Sequence, residues 1–193
     1  IKKNQLGSRP IELLNKKALV YGLGGIGFNI AERLNAHGVK VDAISNELPV
    51  ISNILRKVFF RQQELEIKSY DFIISAAPLT FRTKHLFDYA FFRKMKKNSI
   101  FINVSRGKLV KTEDLLKNKI YEKFRGIGLD VTDPEPLPMK HKLQNINNIF
   151  ITPHIAGLSD NNRERGYNLI KQNLYRYTNN QELLNIVDKK KEY

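Results

Sequence analysis

Cysteine is absent from this chain, and acidic residues are scarce: 19 Asp plus Glu stand against 33 Lys plus Arg. The first absence excludes disulfides, thiolate metal sites, iron–sulfur clusters and a cysteine nucleophile together. No apolar run has membrane-spanning length, and the start, Ile1-Lys2-Lys3-Asn4-Gln5, carries no signal-peptide core. A cytoplasmic protein with no membrane partner is expected. Internal repeats are lacking, and low complexity is confined to Lys189-Lys190-Lys191. The shortage of acids leaves a formal net charge of +14. That charge alone admits nucleic acid, anionic lipid or phosphate-bearing small molecules. The basic residues are scattered, however, and Lys, Asn and Ile are abundant throughout, so compositional bias accounts for the charge and no nucleic-acid partner is expected.

What is present suits one globular domain: 193 residues, 41% hydrophobic and 27% charged. Short apolar runs alternate with longer amphipathic stretches. Ala18-Leu19-Val20-Tyr21 reads as a strand, and Ile26, Ile30 and Leu34 then recur at helical spacing as far as His37-Gly38. Further strands are expected at 39–44, 71–77, 99–104, 126–131 and 148–152. Helical stretches are expected around Arg61-Gln62-Gln63-Glu64-Leu65, at 88–95, at 113–123 with Thr112 as N-cap, and at 161–178. The last would gather Tyr167, Ile170, Leu174 and Tyr177 on one face. Such alternation describes an α/β fold, a Rossmann-type doubly wound parallel sheet with ligands at the carboxyl ends of its strands.

One strand end carries Gly22-Leu23-Gly24-Gly25-Ile26-Gly27, a G-x-G-x-x-G pattern between a strand and a helix. Gly22 permits the tight turn, Gly24 lets a pyrophosphate approach the backbone, and Gly27 allows close helix–strand packing. The N–H groups around Gly25 and Ile26 then face the phosphates. An acid is expected at the end of the second strand to hold the adenine ribose. Asp42 lies inside that strand, and the strand end holds Ser45 followed by Asn46. A neutral hydroxyl there suits a 2′-phosphate and leans toward NADP, while Glu47 would repel one, so NAD stays open.

Three other strand ends carry Asn103-Val104-Ser105-Arg106-Gly107, Leu129-Asp130-Val131-Thr132-Asp133-Pro134-Glu135-Pro136 and Thr152-Pro153-His154-Ile155-Ala156-Gly157. Reduction of a 2-keto acid needs a guanidinium for the carboxylate and carbonyl, and a proton donor for the developing alkoxide. A carboxylate beside a histidine orients the ring and favours its charged form. Arg106, His154 and Glu135 supply these groups. His37, His85 and His141 read as structural, and no metal site is expected. Phe59-Phe60, Phe91-Phe92 and the late tyrosines are expected to pack helices on the sheet.

Together the G-L-G-G-I-G, N-V-S-R-G, G-L-D-V-T-D-P-E-P and I-T-P-H-I-A-G segments make the chain resemble the nucleotide-binding domain of the D-isomer-specific 2-hydroxyacid dehydrogenases, from about Leu14 to Asp188. The resemblance implies NAD or NADP as cofactor and a small 2-keto or 2-hydroxy acid as substrate. It implies that Arg106 binds the substrate and that His154, paired with Glu135, is the acid/base. Asp130 would meet the nicotinamide carboxamide, with Val104 and Ser105 near the nicotinamide and its ribose. Gly25 and Ile26 would meet the pyrophosphate, and Ala77, Pro78 and Thr83 the adenosine side. Gly157 completes the His154 motif, and Ser45 stands where NAD-preferring relatives carry Asp. D-P-E-P-L-P is reminiscent of glyoxylate/hydroxypyruvate reductases.

The same resemblance divides the chain into a linker (1–14), a nucleotide-binding domain (15–158), a return helix (159–178) and a tail belonging to a second, flavodoxin-like lobe (179–193). Most of that lobe would lie outside this sequence, making the chain a fragment, and a homodimer is implied. The alternative is a non-enzymatic dinucleotide sensor resembling the corepressors of this fold.

Overall fold

Strand β1 (Lys17–Tyr21) shows why the sheet forms. Ala18 and Val20 enter one apolar cluster, Leu19 and Tyr21 the other, so the strand is buried on both faces. Six more strands join it: β2 (Lys40–Ile44), β3 (Lys57–Phe59), β4 (Phe72–Ser75), β5 (Ile100–Asn103), β6 (Gly126–Leu129) and β7 (Ile149–Ile151). All pair in parallel in the order β3-β2-β1-β4-β5-β6-β7. This computed structural model describes residues 10–45, 53–60, 65–190 and 192. Residues 1–9 of the expected linker, Asn46 and Glu47 beside Ser45, residues 61–64 of the helical stretch expected around 61–65, and Lys191 lie outside the described residues.

Helix α1 (Gly25–Ala36) covers one face, setting Ala31 against Val20, Val41 and Ala43. The other face is aromatic. Phe91 and Phe92 of α2 (Tyr89–Lys94) pack with Tyr21, Phe87 and Phe101 as expected. Successive edge-to-face contacts, such as Tyr21–Phe87 and Phe87–Phe101 at 5.0 Å, each add about 0.5–1.5 kcal/mol beyond area burial. Asp88 caps α2 through its carboxylate, which accepts from Phe91 N–H at 2.8 Å.

The fold departs from expectation at several places. The helix expected at 113–123 is replaced by two 3-10 turns, Thr112–Leu115 and Lys117–Lys123, with Lys111 rather than Thr112 at the N-cap. Asn118 and Lys119 take φ of 50° and 51°, which breaks a right-handed helix and lets Leu115 and Phe124 enter the core. Strand β3 is additional to the strands the sequence predicts, and Phe60 beside it is exposed rather than packed beneath a helix. Helix α3 (Asn162–Thr178) forms as expected, yet none of its residues is buried. Tyr167, Ile170, Leu174 and Tyr177 are exposed, so the late tyrosines do not pack α3 on the sheet.

Candidate functional site

The order of the sheet reverses between β1 and β4, and loops leaving the two strands in opposite directions open a crevice there. The glycine loop lines it. Gly22 has φ 88°, and a Cβ on it would fall 2.6 Å from Ala77 Cα. A Cβ on Gly27 would lie 1.9 Å from Gly22 O, so the helix start is locked onto the turn. Gly24 and Gly25 have nothing within 4 Å of an added Cβ, and Ile26 is exposed. The first turn of α1 holds no acid and no side-chain cap, which leaves its positive end for an anion. Tight packing at Gly22 and Gly27 with open backbone at Gly24 and Gly25 fits a pyrophosphate.

On the opposite lip, Ala77 abuts Gly22 and Pro78 opens a closed turn. The Thr83 hydroxyl donates to Pro78 O at 2.6 Å and accepts from Thr80 N–H at 2.8 Å. It is engaged within its own loop. Ser45 follows β2 directly, its N–H bonded to Phe59 O. Asp42 indeed does not reach the crevice. Its buried carboxylate accepts from Arg56 Nε at 2.9 Å, from Arg56 Nη2, and from Tyr70 Oη at 2.8 Å. Burial and then the bond to Asp42 hold the Tyr70 phenol above its ordinary pKa.

Beyond β5, Arg106 is exposed and Val104 half-buried in a turn, while the Ser105 hydroxyl points inward to Ser75 and Asn103. Arg106 Nη1 rests on Ser105 O at 2.7 Å. Gly107 meets the loop after β6 at backbone distance, since a Cβ there would fall 1.8 Å from Thr132 O. The loops carrying Arg106 and Glu135 are therefore one packed unit.

His154 lies beyond β7 with φ 54°, a left-handed conformation that needs outside support. Asp130 provides much of it. Its main-chain O accepts from His154 N–H at 2.8 Å, and Oδ1 accepts from Thr152 Oγ1 at 2.6 Å and Ile155 N–H at 2.9 Å. Oδ2 takes Ala156 N–H at 3.0 Å. Burial pushes this carboxyl up, but the Thr152, Ala156 and Ile155 donors outweigh it and hold Asp130 below the usual carboxylate range. Asp130 is thus a staple for the His154 loop, a role not anticipated for it. Gly157 has open space around it.

Glu135 Oε1 and His154 Nδ1 are 2.6 Å apart, with the two side chains 40% and 48% exposed. Thr132 N–H approaches the other carboxylate oxygen at 3.4 Å, and the Thr132 hydroxyl donates to Pro134 O at 2.8 Å, bracing the turn. A carboxylate on Nδ1 directs Nε2 to act as donor or acceptor. His37 and His141 have structural partners: Arg33 O at 2.7 Å, and Glu113 with Leu143 N–H. Among the described residues there is no metal-binding cluster and no helix long and apolar enough to cross a membrane. The sequence alone assigns no role to Asn103, Ser75, Thr132 or Thr152; their signal is a small polar residue ending or following an apolar strand.

Known proteins resemble this chain in sequence and in fold. Residues 2–156 match the D-isomer specific 2-hydroxyacid dehydrogenase NAD binding domain. The chain is 38% identical over 157 residues to glyoxylate reductase/hydroxypyruvate reductase of Homo sapiens, covering 80% of this chain and 48% of that protein. It is 34% identical over 164 residues to glyoxylate reductase of Thermofilum pendens, covering 84% and 48%. The chain thus spans about half the length of these curated relatives. Among solved structures, the NADPH-dependent glyoxylate/hydroxypyruvate reductase of Sinorhizobium meliloti, in complex with NADP and sulfate, superposes with TM-score 0.85 at 27% identity, covering 96% of this chain and 59% of that one. A D-isomer specific 2-hydroxyacid dehydrogenase of Xanthobacter autotrophicus, in complex with NADPH and MES, gives 0.86 at 26% identity, covering 96% and 76%.

Proposed function

Because this chain belongs to the D-isomer specific 2-hydroxyacid dehydrogenases, we propose that it serves the interconversion of a small 2-keto acid and its D-2-hydroxy acid with NAD(P)H. The cofactor, when bound, supplies or takes the hydride. Gly24, Gly25 and Ile26 would hold its pyrophosphate, Ala77 and Pro78 would line its adenosine side, and the loops after β5 and β6 its nicotinamide side. Ser45 in place of an acid supports NADPH over NADH.

Arg106, with Nη1 resting on Ser105 O, pairs through its remaining N–H donors with the substrate carboxylate and polarises the carbonyl. His154 then passes a proton from Nε2 to the carbonyl oxygen, and Glu135 on Nδ1 holds the ring and stabilises its charged form. Oxidation reverses these transfers. The observation that carries this reading is the 2.6 Å Glu135–His154 pair, exposed at the strand ends beside the Arg106 turn and on the same edge as the glycine loop.

Keto-acid chemistry proceeds best where water is excluded, and this edge is open. We assign the exposed apolar face of α3 to contact with a second lobe that closes over the site. The chain expressed alone is therefore expected to bind cofactor and to reduce keto acids slowly. The decisive experiment offers glyoxylate, hydroxypyruvate and larger 2-keto acids to the whole protein that carries this chain, with NADH and NADPH in parallel. NADPH-linked reduction of a small keto acid is expected. Cofactor binding with no turnover on any keto acid would overturn the reading in favour of a dinucleotide sensor.

A further inference from the structure

Three polar side chains are sealed beneath the Arg106 turn. Ser75 ends β4, Asn103 ends β5, and the two are register partners with no exposure, while Ser105 is nearly as buried. Polar groups are retained in such a place only where each finds a partner. The hydroxyls of Ser75 and Ser105 bond at 2.8 Å. Ser105 then gives both its hydroxyl, at 2.7 Å, and its N–H, at 3.2 Å, to Asn103 Oδ1. Two donors on that oxygen fix the amide orientation, so Nδ2 points the other way and donates to Arg106 O at 3.0 Å.

Asn103 therefore grips the turn on both sides of the Ser105–Arg106 peptide. The carbonyl of that peptide is the one on which the Arg106 guanidinium rests. From above, the turn is closed off by the Thr132 backbone against Gly107. A turn held from inside by an amide and from outside by a neighbouring main chain has little freedom to rotate. The network also reaches the next strand end, since Asn103 O accepts from Asp130 N–H at 3.0 Å.

We propose that Asn103, backed by Ser75 and Ser105, is the positioning residue that aims the Arg106 guanidinium at the substrate carboxylate. The proposal rests on the role assigned to Arg106 above. Asn103 itself is buried and acts only through Arg106.

The test uses the whole protein and measures keto-acid KM, kcat, NAD(P)H affinity and Tm for Asn103→Asp and Ser75→Ala, each made in the native and in the Arg106→Ala background. Asn103→Asp keeps the shape but turns a carboxylate oxygen toward Arg106 O. In the native background it is expected to raise keto-acid KM by ~10-fold or more, since a misplacement of about 1 Å can cost ~10²-fold. NAD(P)H affinity, set mainly at the glycine loop, is expected to change far less than KM. Ser75→Ala shifts KM in the same direction by less, and carries the comparison if Asn103→Asp does not fold. In the Arg106→Ala background neither change has a further effect on KM. An equal fold-change in both backgrounds, or a lower Tm with native KM, would overturn the proposal. A native KM in Arg106→Ala itself would remove the assigned role of Arg106 and this proposal with it. A raised KM there, with both buried variants silent, removes this proposal alone.

Discussion

Two carboxylates in this molecule are each paired with a basic side chain, and they differ in almost every physical respect. Asp42 sits in the middle of β2, shows no exposed side-chain surface, and has its oxygens filled by Arg56 and Tyr70. Glu135 sits in a loop beyond the carboxyl end of β6, is 40% exposed, and bonds one nitrogen of a His154 ring that is itself 48% exposed. The first pair ties β2 to the residue entering β3 and to Tyr70 below the sheet. The second leaves a ring nitrogen for chemistry. Charge type alone does not separate a buried clamp from the acid–base pair proposed above; place along the strand and exposure do.

His154→Asn should break the comparison most sharply, lowering turnover by ~10²–10⁴-fold, the worth of a positioned acid–base group, with cofactor binding intact by fluorescence titration. Glu135→Gln should follow at about 10²-fold, because the ring loses its orienting charge while its bulk stays; steady-state kinetics with saturating cofactor measure it. Asp42→Asn should sharpen the contrast from the other side. It leaves buried Tyr70 without its carboxylate partner and is expected to destabilise the fold by about 1–3 kcal/mol in urea melts, with turnover per folded molecule unchanged. Arg56 can recover water, which keeps the loss at that size.

Asp130 predicts the smallest effect, and its signature is the way that effect changes with pH. Its folded-state pKa lies below the unfolded value, so its stabilisation is present above about 4 and lost as pH falls through the folded value. The stability gap between the native protein and Asp130→Asn should therefore be constant near neutrality and narrow in acid. A gap independent of pH down to pH 2 would contradict the staple assigned to this carboxylate.

Both the sheet and the outline of the site were legible in the residues, for one reason: a strand buried on both faces must be apolar, so the polar residues that follow it stand out. Arg106, Glu135 and His154 are singled out as candidates that way. Lys57-Val58-Phe59 escaped because three residues on an edge strand, none of them buried, leave no such run. The region 113–123 reads as a helix because Thr112 suits an N-cap, while the left-handed Asn118 and Lys119 respond to packing that no local pattern states. Ser75 and Asn103 were invisible as partners because their pairing is a register between strands 28 residues apart in the chain. The staple at Asp130 was hidden likewise, since three of its donors lie beyond the next strand.

Single-turnover reduction of glyoxylate or hydroxypyruvate by the NADPH-loaded whole protein, run side by side for Asp42→Asn and His154→Asn, tests the account most directly. Asp42→Asn should retain the native rate, and His154→Asn should lose at least ~10²-fold with its cofactor still bound. A His154→Asn rate within a few-fold of native, or an equal loss in Asp42→Asn, would contradict it.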